Sequence, residues 1–190
     1  MDLINYNHPT VLHAIGMIAL NPVVWNAIAQ VEYRSNLISM LFCKRKKIAI
    51  IASAILILVL NITRGYCFQE AMNSQPKFET ANIFIDFIAW LSILLGQFFV
   101  LTSYYKLGFY ATFLGDYFGI FIHNEPIVTF PFSICADPMY WGSSLTFFGY
   151  ALWQRSPIGI MLTAWVAVVY FMAILVETRM LYEIYSKKAQ

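Results

Sequence analysis

The stretch KRKKIAIIASAILILVLNI, residues 44–62, decides the fold. Four consecutive cations, Lys44 to Lys47, run directly into Ile48 to Ile62, where only Ser53 and Asn61 are polar. A bilayer core about 30 Å thick takes roughly 20 apolar residues per helix, and basic residues collect on its cytoplasmic or matrix side. The pattern therefore predicts a spanning helix over about 48–63 that starts on that side. The rest of the chain agrees, with 60% hydrophobic and only 12% charged residues among 190, against roughly 25% charged in soluble domains. That deficit excludes a soluble enzyme, a disordered tail and a nucleic-acid binder, and a net charge of +2 supports none of them. Cys43, Cys67 and Cys135 are too scattered for a disulfide framework or a zinc site, so no metal is expected. The opening MDLINYNHP has Asp2 and no basic n-region, so the first apolar segment is expected to be retained rather than cleaved.

Upstream, the apolar run over about 10–29 is interrupted by Asn21-Pro22, which predicts a kinked or partly interfacial helix. Downstream, the segment Arg64 to Thr80 is expected as a loop on the opposite face. A third helix over 83–105 returns to the basic side with Ser92, Gly96, Gln97, Thr102 and Ser103 along it, the small and polar residues of a helix face packed on protein. The stretch Leu107 to Tyr140 is rich in Gly, Pro and Asp, a profile for an interfacial or cavity-lining segment rather than a lipid-facing helix. Two apolar runs, 139–153 and 158–176, flank Gln154-Arg155-Ser156-Pro157, where Ser156 suits a helix cap and Pro157 a first helical position. The expected fold is an all-α integral membrane protein: three helices, an interfacial segment and a C-terminal helical hairpin in one domain, 1–190.

Phosphate loops, HExxH and nucleophile elbows are absent from the sequence. What remains is a concentration of ionisable and aromatic residues near the ends of the last helices: Asp116, Tyr117, His123, Asp137, Tyr140, Trp141, Glu177, Arg179 and Glu183. An ionisable group at membrane depth is costly and marks function, whereas one at the interface snorkels cheaply. Asp116 and Glu177 fit the first description better, and Arg179 and Glu183 the second.

Seven segments carry a resemblance: Asn21-Pro-Val-Val-Trp-Asn, Cys67-Phe-Gln-Glu-Ala-Met-Asn-Ser-Gln-Pro, Lys106-Leu-Gly, Thr112-Phe-Leu-Gly-Asp-Tyr-Phe-Gly-Ile, Phe130-Pro-Phe, Pro138-Met-Tyr-Trp-Gly-Ser and Glu183-Ile-Tyr. In that order the chain resembles the phosphatidylethanolamine N-methyltransferase family from about Asn21 to Lys188. The resemblance implies S-adenosylmethionine as methyl donor, membrane phospholipids as partners, and an endoplasmic reticulum or mitochondrial membrane as location. It implies a cofactor half at about 106–190, with Gly96, Asp137, Pro138, Tyr140, Gly142 and Glu177 as cofactor-binding candidates. If the last two helices are antiparallel, Tyr140 and Glu177 meet on the face of the basic cluster. Asp116 and His123 are the candidates for taking the proton from the lipid amine. Tyr104, Tyr117 and Trp141 are candidates for holding methylated ammonium by cation–π attraction, against interface anchoring as the plainer role.

Four positions depart from the family pattern: Leu94 stands in the Gly-x-Gly, Asp137 replaces Asn or His, Thr178 follows Glu177, and Pro126-Ile127 stands where an Arg usually precedes the Val-Thr of the interfacial loop. Leu94 is expected to obstruct a close approach, and Thr178 to remove a carboxylate. Three readings therefore stay open: an active phospholipid N-methyltransferase, a weakened relative serving as a lipid-binding subunit beside membrane-protein partners or a second copy, and a methyltransferase with another membrane-borne acceptor.

Overall fold

The computed structural model describes residues 4–5, 7–78 and 82–188, and among these there are helices and turns but no strand. The elements are α1 (Pro9–Ser35), α2 (Leu37–Leu41), α3 (Lys46–Asn73), α4 (Ile83–Thr112), a 3-10 turn (Gly115–Phe118), α5 (Pro138–Trp153) and α6 (Pro157–Lys188). Four helices are long and apolar enough to cross a bilayer, those beginning at Pro9, Lys46, Ile83 and Pro157. The chain is an integral membrane protein. The sixteen residues of α5 reach only about 24 Å at ~1.5 Å per residue, less than the bilayer core, so the segment leading into α5 makes up the rest of the path between the two faces.

Four features of the helices differ from expectation. The run interrupted at Asn21-Pro22 is one continuous helix, with Pro22 inside α1. Neighbouring helices bury both residues, and the Asn26 side chain donates to the Pro22 carbonyl at 3.0 Å. The loop expected from Arg64 is instead the last third of α3, where Arg64, Phe68, Ala71 and Met72 continue the buried stripe at helical spacing. Positions 79 and 80 of that expected loop lie outside the described residues. Likewise α4 continues to Thr112 across a break at Gly108 (φ 72°, ψ 172°), and α6 extends twelve residues past Val176.

The hairpin forms as the sequence indicates. Ser156 caps α6 by accepting from the Gly159 N–H at 3.1 Å, with Pro157 in the first helical position. Lipid offers no hydrophobic drive between helices, so close packing of small residues has to join them. Gly96 and Gly142 supply it between α4 and α5: a Cβ on Gly142 would stand 2.6 Å from the Gly96 carbonyl oxygen. Gly149 lies as close to the Ala89 carbonyl one level deeper.

Polar contacts sort the chain ends onto two faces. Arg155 clasps Asp86 with bonds of 2.8 and 2.9 Å, Lys77 reaches Gln154, and Thr10 meets Ser74. At the other end Lys188 approaches the His123 carbonyl, Tyr185 holds Asp116, and Lys46 lies beside Gly119. Cysteines introduced for exposed Lys77 and Lys187 are expected to label with an impermeant thiol reagent from opposite sides of intact vesicles. Labelling of both from one side would contradict this arrangement.

Candidate functional site

A cavity of about 400 Å³ opens among α1, α3, the end of α4, the 3-10 turn, the loop before α5 and the antiparallel pair α5–α6. That is the size of a small-molecule site. Its focus is Glu177. The antiparallel hairpin brings α6 past the start of α5, and the Glu177 Oε1 accepts from Trp25 Nε1 at 2.8 Å, from Asn26 Nδ2 at 3.3 Å and from the Tyr140 hydroxyl. Three helices thus converge on one carboxylate oxygen. Around it the rings of Trp25, Tyr140 and Tyr170 touch, with centroids 5.8 Å apart for Trp25–Tyr140 and 4.8 Å for Tyr140–Tyr170.

Asp137, preceding the first residue of α5, also lines the cavity, and burial pushes its carboxyl up to about 6. Asp116, on the 3-10 turn, accepts from the Tyr185 hydroxyl at 3.2 Å through Oδ2, while its Oδ1 is buried without a partner. Tyr117 OH and Thr112 Oγ1, also lining residues, are buried and unpartnered too. His123 lies opposite, with Nε2 3.3 Å from the Leu107 carbonyl. Buried polar atoms without a partner are uncommon, and three of them gathered on the lining residues of one cavity is a condition that a bound ligand would relieve.

The residues singled out from sequence divide accordingly. Asp116, Tyr117, His123, Asp137, Tyr140, Glu177 and Tyr104 line the cavity. Gly96 and Gly142 do not; they face each other across the α4–α5 contact. Pro138 is fully buried as the first residue of α5, and Trp141 points outward, 48% exposed. Leu94, expected to obstruct a close approach, is 65% exposed on the outer side of α4 and is absent from the cavity lining. Thr178 is likewise exposed and absent from the cavity wall. Helical geometry explains both: Leu94 stands two positions before Gly96, and Thr178 one after Glu177, so each faces away from its inward neighbour.

Sequence reasoning missed Arg64, Asn61, Trp25 and Tyr170, all of which line the cavity. For Arg64 a signal existed, a single cation following an uninterrupted apolar run in a segment still able to continue the helix. Trp25 lay within the quoted segment Asn21-Pro-Val-Val-Trp-Asn, whereas Tyr170 carried no signal, since aromatic residues are common throughout the chain.

Residues 85–188 match the family model for phospholipid methyltransferases. The chain is 44% identical to phosphatidylethanolamine N-methyltransferase of Mus musculus, over 95% of this chain and 90% of that one. It is 36% identical to phosphatidyl-N-methylethanolamine N-methyltransferase of Neurospora crassa, over 98% and 87%. With the protein of that name from Saccharomyces cerevisiae it shares 39% over 84% and 75%. No solved structure matches the chain significantly.

Proposed function

Because the chain belongs to the phospholipid methyltransferase family, we propose that it methylates the amine of phosphatidylethanolamine and its mono- and dimethyl intermediates toward phosphatidylcholine. The donor is S-adenosylmethionine, and the membrane is that of the endoplasmic reticulum or the mitochondrion. The observation that carries the reading is the Glu177 carboxylate of α6, held by donors from α1 and α5 beside three aromatic faces in a cavity of the membrane bundle.

The residues present fit such a donor. A sulfonium and an ammonium call for carboxylates and ring faces, which Glu177, Asp137, Trp25, Tyr140 and Tyr170 provide. Ribose hydroxyls and an adenine edge call for polar atoms without partners, which Thr112 Oγ1, Asp116 Oδ1 and Tyr117 OH provide. When bound, S-adenosylmethionine supplies an electrophilic methyl carbon on a cationic sulfur. This chain's residues hold the reactants in line and keep water out, and that placement supplies most of the rate. A lipid ammonium must lose a proton before its nitrogen can attack. Desolvation in the cavity favours the neutral amine, and His123 with Asp116 receives the proton at the polar mouth and returns it to water. The cationic product, with fewer N–H donors at each step, leans on the faces of Tyr104 and Tyr117.

The alternative of a disabled subunit rested on four departures, of which Leu94 and Thr178 lie off the cavity wall while Asp137 and Pro126-Ile127 line it, Asp137 with a carboxylate that suits a cationic donor. The decisive assay supplies methyl-labelled S-adenosylmethionine to the purified chain in phosphatidylethanolamine micelles. Label is expected in N-methylated phospholipid, and none above a Glu177→Ala control would refute the function.

Asp137 gives the site a pH dependence. With its carboxyl raised to about 6, it is largely protonated at pH 5 and ionised at pH 7.5, and only the ionised form attracts a cation. Donor affinity is therefore expected to rise by about tenfold across that interval, following the ionised fraction. Calorimetry on Asp137→Asn should show a flatter profile with weaker binding at the upper end. An unchanged profile would detach Asp137 from the donor.

A further inference from the structure

Arg64 is a cation in a place where cations are expensive. It stands eighteen residues beyond Lys46 and nine before Asn73 in α3, roughly 27 and 13 Å along the axis at ~1.5 Å per residue, which is hydrocarbon depth. It is only 6% exposed, yet it lines the cavity, and it is the single Arg or Lys among the described lining residues. No carboxylate pairs with it: the ion pairs among the described residues are Arg155–Asp86 and Lys187–Glu183. Its guanidinium instead donates to the Tyr170 hydroxyl and lies over the rings of Phe147 and Tyr170, 5.0 and 5.5 Å from their centroids, while Nε has no partner at all. Neutral partners of this kind do not offset the burial of a full charge.

The aromatic cluster relates Arg64 to Glu177. The Tyr170 hydroxyl holds Arg64, and the Tyr170 ring packs 4.8 Å from that of Tyr140, whose hydroxyl holds Glu177. One wall of the cavity thus presents a group that attracts cations and another that attracts anions, separated by ring faces. That is the complement of a zwitterion. We infer that Arg64 is an anion-binding residue of this cavity, receiving the oxyanion of a bound zwitterionic substrate whose ammonium end lies toward Glu177. Two groups share this chemistry, the phosphate of the phospholipid headgroup and the carboxylate of the methyl donor. The bidentate fork of arginine suits both.

The inference rests on the methyltransferase reading and is tested on the full chain in phospholipid micelles. Two constants are measured for wild type, Arg64→Met and Arg64→Lys: the preference for S-adenosylhomocysteine over its decarboxylated analogue, by calorimetry, and the KM for phosphatidylethanolamine at saturating donor. Arg64→Met is expected to change one of them by about tenfold or more and leave the other alone, with Arg64→Lys recovering part of the loss because it keeps the charge. Loss of the carboxylate preference assigns the donor, and a rise in KM assigns the headgroup phosphate. If neither constant moves, or both move together, the inference is overturned. Should Arg64→Met fail to fold, the wild type alone decides, through its preference for carboxylated over decarboxylated donor analogue and for phosphatidylethanolamine over its phosphate-methylated triester. Indifference in both comparisons overturns the inference. A wild type that binds no donor at all would instead sink the methyltransferase reading itself.

Discussion

Glu177→Gln is expected to lower affinity for S-adenosylmethionine by at least tenfold and methyl transfer by about a hundredfold. Glutamine keeps a carbonyl oxygen for Trp25, Asn26 and Tyr140, all of which donate to Oε1 in the structure. The change therefore removes charge while leaving geometry. A charge-assisted hydrogen bond contributes about 1.5–3 kcal/mol, and ~1.4 kcal/mol is a decade in binding. Glu177→Ala goes further, stranding three donors at a cost of about 1–3 kcal/mol for each one left buried and unpaired. Comparing the two variants by calorimetry and thermal unfolding separates the ligand's share from the fold's. Near-native donor affinity in Glu177→Gln would take Glu177 out of the binding site.

Gly142→Leu is expected to break the α4–α5 contact and with it the cavity wall. The added Cβ meets the Gly96 carbonyl oxygen at 2.6 Å and the Phe99 Cβ at 3.0 Å, and a backbone oxygen in a helix has nowhere to move. Overpacking of this kind costs about 3 kcal/mol or more, so the unfolding midpoint in detergent should fall by roughly 10 °C. Donor binding is lost along with it, as a consequence of packing rather than of contact with the ligand. Leu94→Ala, on the exposed side of the same helix, is the control and should leave stability and activity near wild type. A Gly142→Leu protein that melts normally but binds no donor would return Gly142 to the site itself.

The sequence made the membrane legible through the run 44–62, and the hairpin legible through Ser156-Pro157, because both signals are local. Helix ends were less legible. The last third of α3 and the last twelve residues of α6 are polar enough to fall outside an apolar window, yet they stay helical because Arg64, Phe68 and Met72 on one and Ile184 on the other remain packed. The meeting of Tyr140 with Glu177 followed from the antiparallel hairpin. The third contributor, α1, could not be anticipated, since Trp25 reaches Glu177 across 152 positions of sequence. Motif reasoning placed Gly96 and Gly142 beside the cofactor, and in the structure the two face each other where α4 and α5 touch. Conversely, Leu94 and Thr178 differ from the family pattern on surfaces the cavity does not use.

The central claim is that the cavity around Glu177 binds the methyl donor. Photo-cross-linking of labelled S-adenosylmethionine to the wild-type chain in phospholipid micelles, followed by peptide mapping, tests it most directly. Label should map to the cavity wall within residues 104–140 and 170–185 and be displaced by S-adenosylhomocysteine. Displaceable label on the outer face of α4 around Leu94, or on the opposite end around Lys77 and Arg155, would contradict it.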